Sequence, residues 1–328
     1  IPSFDSLLQD VEADFESRQS SQPRVAVVGP TSSGKSTIVN ALFRQLVLPT
    51  GALPNTLLPV IIGMGDGGGY SVTLRGDGLE EYLLSRDLTI RPSVGLSQTD
   101  AFERICQANA LVRDMLRGCM RASDEPSRSL DSIRLWHIRL VVPAERGREP
   151  ASFEIVDCPG GGEALGAAQE TGLVGAAVKR ILQHCMSIAG MVLVNVKVDN
   201  IVCLDDELLL LPYLGGTRPD AKLALTINAV EDAQTRRDAE ERLQYDMVRT
   251  TLHRLGVDAV FYVSGRTILA CGVAQSLMRV TSFAELRKLA SLGSSANTAL
   301  SLPALCALIK TDLGIGGPHP DVVERGMR

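Results

Sequence analysis

The chain of 328 residues has little of several features that mark specialised classes of protein. Its seven cysteines form no Cys-x-x-Cys pair and no cluster with histidine, so we expect reduced thiols rather than disulfides or a zinc site. No apolar run reaches the roughly 18 residues that a membrane-spanning helix needs, and no signal peptide is recognisable. The net charge is −5 and the arginines are scattered, which argues against a nucleic-acid partner. These absences favour a globular, cytoplasmic protein.

What the sequence does contain is an alternation of short apolar runs with amphipathic segments. Apolar runs predict strands at residues 24–29, 57–64, 70–75, 133–142, 153–156, 190–196, 222–227 and 260–263. Helical periodicity predicts helices at residues 36–45, 99–120, 171–186, 207–214 and 234–255. This alternation predicts an α/β fold with a mostly parallel central sheet and helices on both faces.

The two ends of the chain differ from this pattern. Residues 1–20 include a stretch, residues 3–18, with apolar side chains on one helical face. Residues 279–328 include a stretch, residues 282–312, that reads as helical with a break at residues 293–297. We expect these ends to pack together as a small helical bundle outside a main domain of residues 21–278, with an insertion at about residues 85–131. Because the sequence begins at Ile1 rather than at Met, we also expect it to be a piece of a longer protein.

Residues 29–36 read Gly-Pro-Thr-Ser-Ser-Gly-Lys-Ser and match the pattern G-x-x-x-x-G-K-[ST] between a predicted strand and a predicted helix. The glycines let backbone N–H groups surround phosphates, and the start of the helix adds a favourable dipole. We expect Lys35 to neutralise the β- and γ-phosphates and the Ser36 hydroxyl to bind Mg²⁺. The other expected phosphate ligands are Gly29, Ser33, Gly34 and Thr37. The motif predicts the P-loop NTPase fold.

A second motif, Asp157-Cys-Pro-Gly160, follows the predicted strand at residues 153–156. Its position at the end of a strand would deliver a carboxylate opposite the P-loop. We therefore expect Asp157 to bind Mg²⁺ through a water and the Gly160 N–H to meet the γ-phosphate.

A D-x-P-G turn after a P-loop looks like the GTPase version of this fold, and two further stretches resemble the dynamin superfamily. Residues 48–56, Leu-Pro-Thr-Gly-Ala-Leu-Pro-Asn-Thr, resemble its first switch, and the P-loop continued by Val39-Asn-Ala-Leu42 is similar to its bacterial and mitofusin-like branches. The resemblance covers about residues 20–270. It implies that GTP or GDP with Mg²⁺ is the cofactor and that Thr56 closes over Mg²⁺ and the γ-phosphate, with Thr50 as the competing candidate. It also implies a nucleotide-dependent homodimer and peripheral association with an organelle or plasma membrane.

The base-recognition motif departs from the family pattern [NT]-K-x-D. Residues 228–232 read Asn-Ala-Val-Glu-Asp, so Asn228 fits but Ala229 replaces the lysine that packs over guanine. Glu231 or Asp232 would have to accept from the base. Ser264, Gly265 and Arg266 resemble the loop whose backbone contacts the base carbonyl.

The catalytic positions also depart from part of the family. Dynamins that carry a water-orienting glutamine in the P-loop have it where this chain has Thr31, although mitofusin-like members share the threonine. Ser32 could stabilise the β/γ bridge, and Glu163 is a further candidate after the D-x-P-G turn. The sequence therefore predicts a slow GTPase that acts as a switch or mechanochemical domain in membrane remodelling and is stimulated by dimerisation. Two alternatives remain open: a GTP-binding scaffold with little hydrolysis, and a P-loop ATPase with relaxed base choice.

Overall fold

The structure, a computed structural model, describes residues 22–43, 45–50, 57–65, 68–76, 93–121, 136–144, 153–160, 172–198, 220–229 and 233–265. The strands within these residues are β1 (Arg24–Val28), β2 (Val60–Gly65), β3 (Tyr70–Arg75), β4 (Ser93–Leu96), β5 (His137–Pro143), β6 (Glu154–Asp157), β7 (Met191–Lys197), β8 (Lys222–Asn228) and β9 (Ala259–Tyr262). The helices are α1 (Lys35–Phe43), α2 (Gln98–Arg121), α3 (Gly172–Ile188), α4 (Ala233–Leu243) and α5 (Asp246–Leu255).

All of these strands form one sheet in the order β4-β3-β5-β2-β6-β1-β7-β8-β9. The five strands from β6 to β9 in this order run parallel to one another. Strand β2 pairs antiparallel with β6 and parallel with β5, and β3 pairs antiparallel with both β5 and β4. The predicted α/β class with a mostly parallel sheet is confirmed.

Strand β1 lies in the middle of the sheet because its sequence is apolar on both faces. Its last four residues, 25–28, are at most 1% exposed, as expected for a strand covered on both sides. Helices α1 and α3 both contact it. Since the carboxyl ends of parallel strands share one edge, the loops after β1, β6, β7, β8 and β9 meet there, where ligands bind in open α/β sheets.

Helix α2 begins at a serine cap. The Ser97 hydroxyl accepts from the Asp100 N–H at 3.2 Å and donates to the Asp100 carboxylate at 2.6 Å, which satisfies one free N–H at the start of the helix. The helix packs against β3. This part of the insertion expected at about residues 85–131 therefore packs on the main sheet.

The opposite end of β6 carries a buried carboxylate. Glu154, with a side chain 3% exposed, is 2.8 Å from Arg24 Nε and 2.6 Å from Arg139 Nη2. The two arginines come from β1 and β5, so one carboxylate links three strands. Paired charges are the usual condition for burying a carboxylate.

Several elements differ from the sequence prediction. Strand β4 was not predicted, and its pairing with β3 contains a register irregularity between Tyr70 and Val72. The helix predicted over residues 234–255 is divided by Tyr245, whose backbone is extended. It ends as predicted at Gly256, which adopts a left-handed conformation with φ 66°.

The predicted terminal bundle and the predicted helix at residues 207–214 lie outside the described residues. Within the described part of the chain, every helix is too short or too polar to cross a lipid bilayer.

Candidate nucleotide-binding site

The P-loop motif forms the turn between β1 and α1. Gly29 has φ 152° and Gly34 has φ 90°, while Ser32 is the non-glycine residue of this turn in the left-handed region, with φ 60°. A Cβ atom on Gly29 would collide with the backbone carbonyl oxygen of Asn195. The glycines are therefore required both by the backbone conformation and by the close approach of β7.

Lys35 lies within this turn rather than extending into solvent. It is 7% exposed, and its Nζ donates to the carbonyl oxygens of Gly29 at 3.1 Å and Pro30 at 2.8 Å. The ammonium group is thereby held over the P-loop. This placement suits the expected role of neutralising phosphate charge.

Ser36 and Asp157 lie together at the start of α1 and the end of β6. The Ser36 hydroxyl donates to Asp157 Oδ2 at 2.8 Å, and Asp157 is fully buried. A hydroxyl and a carboxylate on adjacent elements form the oxygen donor set that Mg²⁺ takes beside nucleotide phosphates. The residues present therefore fit Mg²⁺, and these two would hold it.

The D-x-P-G turn contacts the P-loop at Gly160. A Cβ on Gly160 would lie 2.5 Å from Thr31 Oγ1 and 2.9 Å from Thr31 Cα. The Thr31 Oγ1 atom is itself buried and has no hydrogen-bond partner within the described residues. Thr31 and Gly160, both expected near the γ-phosphate, are therefore in direct contact, and only glycine fits against the threonine.

Cys158 follows Asp157 in the D-x-P-G turn but adds no charge to the site. A hydrogen bond with the Cys185 thiol, burial and the neighbouring Asp157 carboxylate raise the pKa of Cys158 well above its usual value. The group remains a neutral thiol at physiological pH. Cys158 and Cys185 are free and buried, whereas Cys106 is free and exposed.

Asn228, at the end of β8, joins the P-loop to the predicted base-recognition loop. Its Nδ2 donates to the Ser33 carbonyl oxygen at 3.0 Å, and its Oδ1 accepts from the Gly265 N–H at 3.1 Å. Ser264, directly before Gly265, is partly buried. The P-loop and the predicted base-recognition loop are therefore connected through the Asn228 side chain.

The residue after Asn228, Ala229, has φ 67°, a left-handed conformation that is unfavourable for alanine.

Asn195, a fully buried residue of β7, was not predicted from the sequence as a site residue. Its Nδ2 donates to the Ser33 carbonyl oxygen at 2.9 Å and lies 3.3 Å from Ser33 Oγ. A polar residue inside the apolar run of residues 191–196 was the available signal.

Two more buried asparagines were missed, and they hold the two ends of the predicted first switch, residues 48–56. Asn40 of α1 accepts from the Val47 and Leu48 N–H groups at 3.0 and 2.8 Å and donates to the Leu48 carbonyl oxygen at 2.9 Å. Asn109 of α2 accepts from the Leu57 and Leu58 N–H groups at 2.8 and 3.1 Å. Each side chain substitutes for backbone partners that these buried residues would otherwise lack.

The remaining predicted site residues are distributed as follows. The structure brings together the predicted site residues Gly29, Thr31, Ser32, Ser33, Gly34, Lys35, Ser36, Thr37, Asp157, Gly160, Asn228, Ser264 and Gly265 around the P-loop. Thr50, the alternative switch threonine, is 8% exposed. Thr56, Glu163, Glu231, Asp232 and Arg266 lie outside the described residues.

A P-loop in contact with a D-x-P-G turn, and linked through Asn228 to the predicted base-recognition loop, defines on this sheet a P-loop nucleotide-binding protein of the GTPase type. The sequence model of the Dynamin family matches residues 25–201. The chain belongs to the dynamin family. Its domain is a GTP hydrolase domain, with GTP or GDP as the nucleotide and Mg²⁺ as the metal.

Solved structures were also matched, at low sequence identity. A member of an oligomerised bacterial dynamin pair, described as sensing and tethering membranes, is 16% identical with a TM-score of 0.45, over 93% of this chain and 43% of that one. A variant of Era from Aquifex aeolicus bound to GDP and AlF₄⁻ is 11% identical with a TM-score of 0.38, over 78% of this chain and 56% of that one. Era with MgGDPNP and a fragment of 16S ribosomal RNA is 10% identical with a TM-score of 0.37 and has the same coverage.

The chain thus spans only about half the length of these proteins. No curated protein matches it by sequence.

Proposed function

We propose that this protein binds GTP with Mg²⁺, hydrolyses it slowly, and acts as a nucleotide-dependent switch or mechanochemical domain in membrane remodelling, stimulated when two GTPase domains dimerise. The observation that carries the proposal is the contact of Ser36 with Asp157, 2.8 Å apart, in a chain of the dynamin family. This contact supports a metal site beside the P-loop. Hydrolysis of a phosphate anhydride depends on such positioning and charge stabilisation.

The proposed roles of the chain's own residues follow from their positions. Backbone N–H groups of the P-loop bind phosphate oxygens, and the Lys35 ammonium offsets the charge that develops between the β- and γ-phosphates. Ser36 and Asp157, together with Thr56, would hold Mg²⁺, which would supply further neutralisation of the phosphate charge. The Gly160 N–H meets the γ-phosphate and so senses whether it is present.

Slow turnover is proposed because of the residue at position 31. Thr31 Oγ1 is packed against Gly160, and a threonine is too short to orient an attacking water as a glutamine does. Positioning of the water would then depend on residues supplied when two domains meet. Turnover per molecule would then rise with protein concentration, because more domains would be paired.

The experiment measures steady-state GTP hydrolysis over a hundredfold range of protein concentration, with sedimentation in GDP and in a non-hydrolysable GTP analogue. We expect turnover per molecule to rise severalfold and a dimer to form with the analogue alone. Flat turnover together with a monomer in both nucleotides would contradict the dimer. Co-sedimentation of the chain, and of a longer form of the protein, with anionic vesicles tests the proposed action at a membrane separately.

A second candidate function is a GTP-binding scaffold with little hydrolysis. Ala229, where the family has a lysine, together with Thr31 favours it, because both departures weaken catalysis or base selection without removing the phosphate site. Tight GTP binding without measurable turnover at any concentration would favour the scaffold over the switch.

A further inference from the structure

Asn195 occupies a position where a core strand ordinarily has an apolar residue. It lies in β7 among residues 191–196, all of which are buried, and is 0% exposed. Its Oδ1 atom is buried and has no hydrogen-bond partner within the described residues. A buried amide with an unsatisfied acceptor is unfavourable for stability. The compensating contact must therefore come from its other atom, Nδ2.

That atom donates to the Ser33 carbonyl oxygen at 2.9 Å, the same oxygen that accepts from Asn228 Nδ2 at 3.0 Å. Two amide groups from adjacent strands thus bind one carbonyl of the P-loop. The Ser33 carbonyl and the Gly34 N–H belong to one planar trans peptide, in which the two groups point in opposite directions. Fixing the carbonyl on the strand side therefore aims the Gly34 N–H into the phosphate cradle.

We propose that Asn195 is a positioning residue of the phosphate site, which orients the Ser33–Gly34 peptide for phosphate binding independently of base recognition. The inference rests on the nucleotide-binding part of the proposed function. It separates Asn195 from Asn228. The Asn228 side chain also accepts from the Gly265 N–H of the predicted base-recognition loop, whereas within the described residues the Asn195 side chain hydrogen-bonds only to Ser33. Loss of Asn195 should weaken phosphate binding, and loss of Asn228 should weaken both phosphate and base binding.

Thr226 provides a matched control in the same layer. It pairs in register with Asn195 on the neighbouring strand, is 2% exposed, and its buried Oγ1 has no hydrogen-bond partner within the described residues. Paired residues of parallel strands point to the same face of the sheet. Thr226→Val is nearly isosteric. It therefore shows how far a substitution on this face of the sheet changes nucleotide affinity when the hydrogen bonds to Ser33 are kept.

The test measures calorimetric affinities for GDP and for inosine diphosphate, which lacks the exocyclic amine of guanine, with Mg²⁺ present. Asn195→Leu should weaken both nucleotides by the same factor, about three- to tenfold, the value of one hydrogen bond. Thr226→Val should leave both affinities within about twofold of the original. Asn228→Leu should change the ratio of the two affinities as well as their size. Thermal unfolding without nucleotide establishes that each variant is folded.

If Asn195→Leu does not fold, Asn195→Ala is used, which removes the donor to the Ser33 carbonyl without adding bulk or charge. If the Asn195 variant bound both diphosphates as tightly as Thr226→Val does, the inference would be overturned. A change in the ratio of its affinities for GDP and inosine diphosphate would overturn it as well. Failure of the unaltered chain to bind GDP would instead overturn the proposed function, and this inference with it.

Discussion

The hydroxyl of Ser36 donates to the carboxylate of Asp157 at 2.8 Å, across 121 residues of sequence. Helix α1 begins beside the end of β6, so the two side chains meet although no local pattern relates them. The contact fixes where a metal would lie relative to the P-loop. The other contacts of the site, those of Gly160, Asn228 and Asn195, are arranged around the same turn.

Asp157→Asn should remove the dependence of nucleotide binding on Mg²⁺, because the amide keeps the shape but loses the negative charge that attracts the ion. We expect GDP affinity in excess Mg²⁺ to fall to the value measured in chelator. Titration of Mg²⁺ with a fluorescent guanine nucleotide measures this change.

Glu154→Gln is the matched control, since Glu154 is also a buried carboxylate of β6 but lies at the other end of the strand. It should lower stability by about 3 kcal/mol, because two partly exposed arginines lose their partner. Its Mg²⁺ dependence should be normal. An Asp157→Asn variant that responds to Mg²⁺ as the original does would show that the carboxylate does not hold the ion.

Gly160→Ala should slow GTP hydrolysis at least tenfold while GDP affinity changes little. The added Cβ would lie 2.5 Å from Thr31 Oγ1 and so push the D-x-P-G turn away from the P-loop. Single-turnover hydrolysis and GDP titration separate these two effects. Gly68→Ala is the control, because no described residue lies within 4 Å of its added Cβ, and it should keep normal hydrolysis.

Ala229→Lys should raise the preference for GTP over ATP severalfold, because a lysine there can pack over the guanine ring. Stability should be unchanged, since alanine and lysine both have a Cβ and meet the same left-handed backbone with φ 67°. Competition binding of the two nucleotides measures the preference. Ala229→Gly relieves the backbone strain and should stabilise the protein by about 1 kcal/mol without improving base selection. Equal selectivity in both variants would contradict the assignment of position 229 to base recognition.

Asn109→Ala should destabilise the protein by about 2–4 kcal/mol, because the buried N–H groups of Leu57 and Leu58 lose their acceptor. Because these residues follow the predicted first switch directly, the KM for GTP should rise more than the dissociation constant of GDP. Urea unfolding and steady-state kinetics measure the two effects. Asn109→Asp retains the acceptor oxygens, so its KM for GTP should return most of the way to that of the unaltered chain. A KM as high as that of Asn109→Ala would indicate that Asn109 of α2 acts only through stability.

The sequence predicted the central features of the fold because their signals are local. The apolar run of β1 and the glycine spacing of residues 29–36 each indicate one structure without reference to the rest of the chain. The same holds for Gly256, which ends α5 in the left-handed conformation that glycine favours. Strand β4 was missed because its four residues gain stability only from pairing with β3, which no local pattern reveals.

The asparagines show why the site itself was only partly predictable. Asn228 was predicted because it belongs to a known motif, but its contact with the Ser33 carbonyl was not. Asn195, Asn40 and Asn109 make contacts that depend on the sheet register or on helix packing, and the first of these spans 162 residues. The only sequence signal of Asn195 and Asn109 is an amide within an apolar segment, and many such amides lie on surfaces. Asn40 belongs to the stretch Val39-Asn-Ala-Leu42, but its contacts with residues 47 and 48 were not predicted.

The most direct test of the account is steady-state hydrolysis of GTP and of ATP with Mg²⁺, by the unaltered chain and by Lys35→Ala. The Lys35 ammonium lies against the P-loop carbonyls of Gly29 and Pro30, and its removal takes away the positive charge offered to the phosphates. We predict slow turnover that is selective for GTP and is lost in Lys35→Ala. Equal or faster turnover of ATP, or GTP turnover that persists in Lys35→Ala, would contradict it.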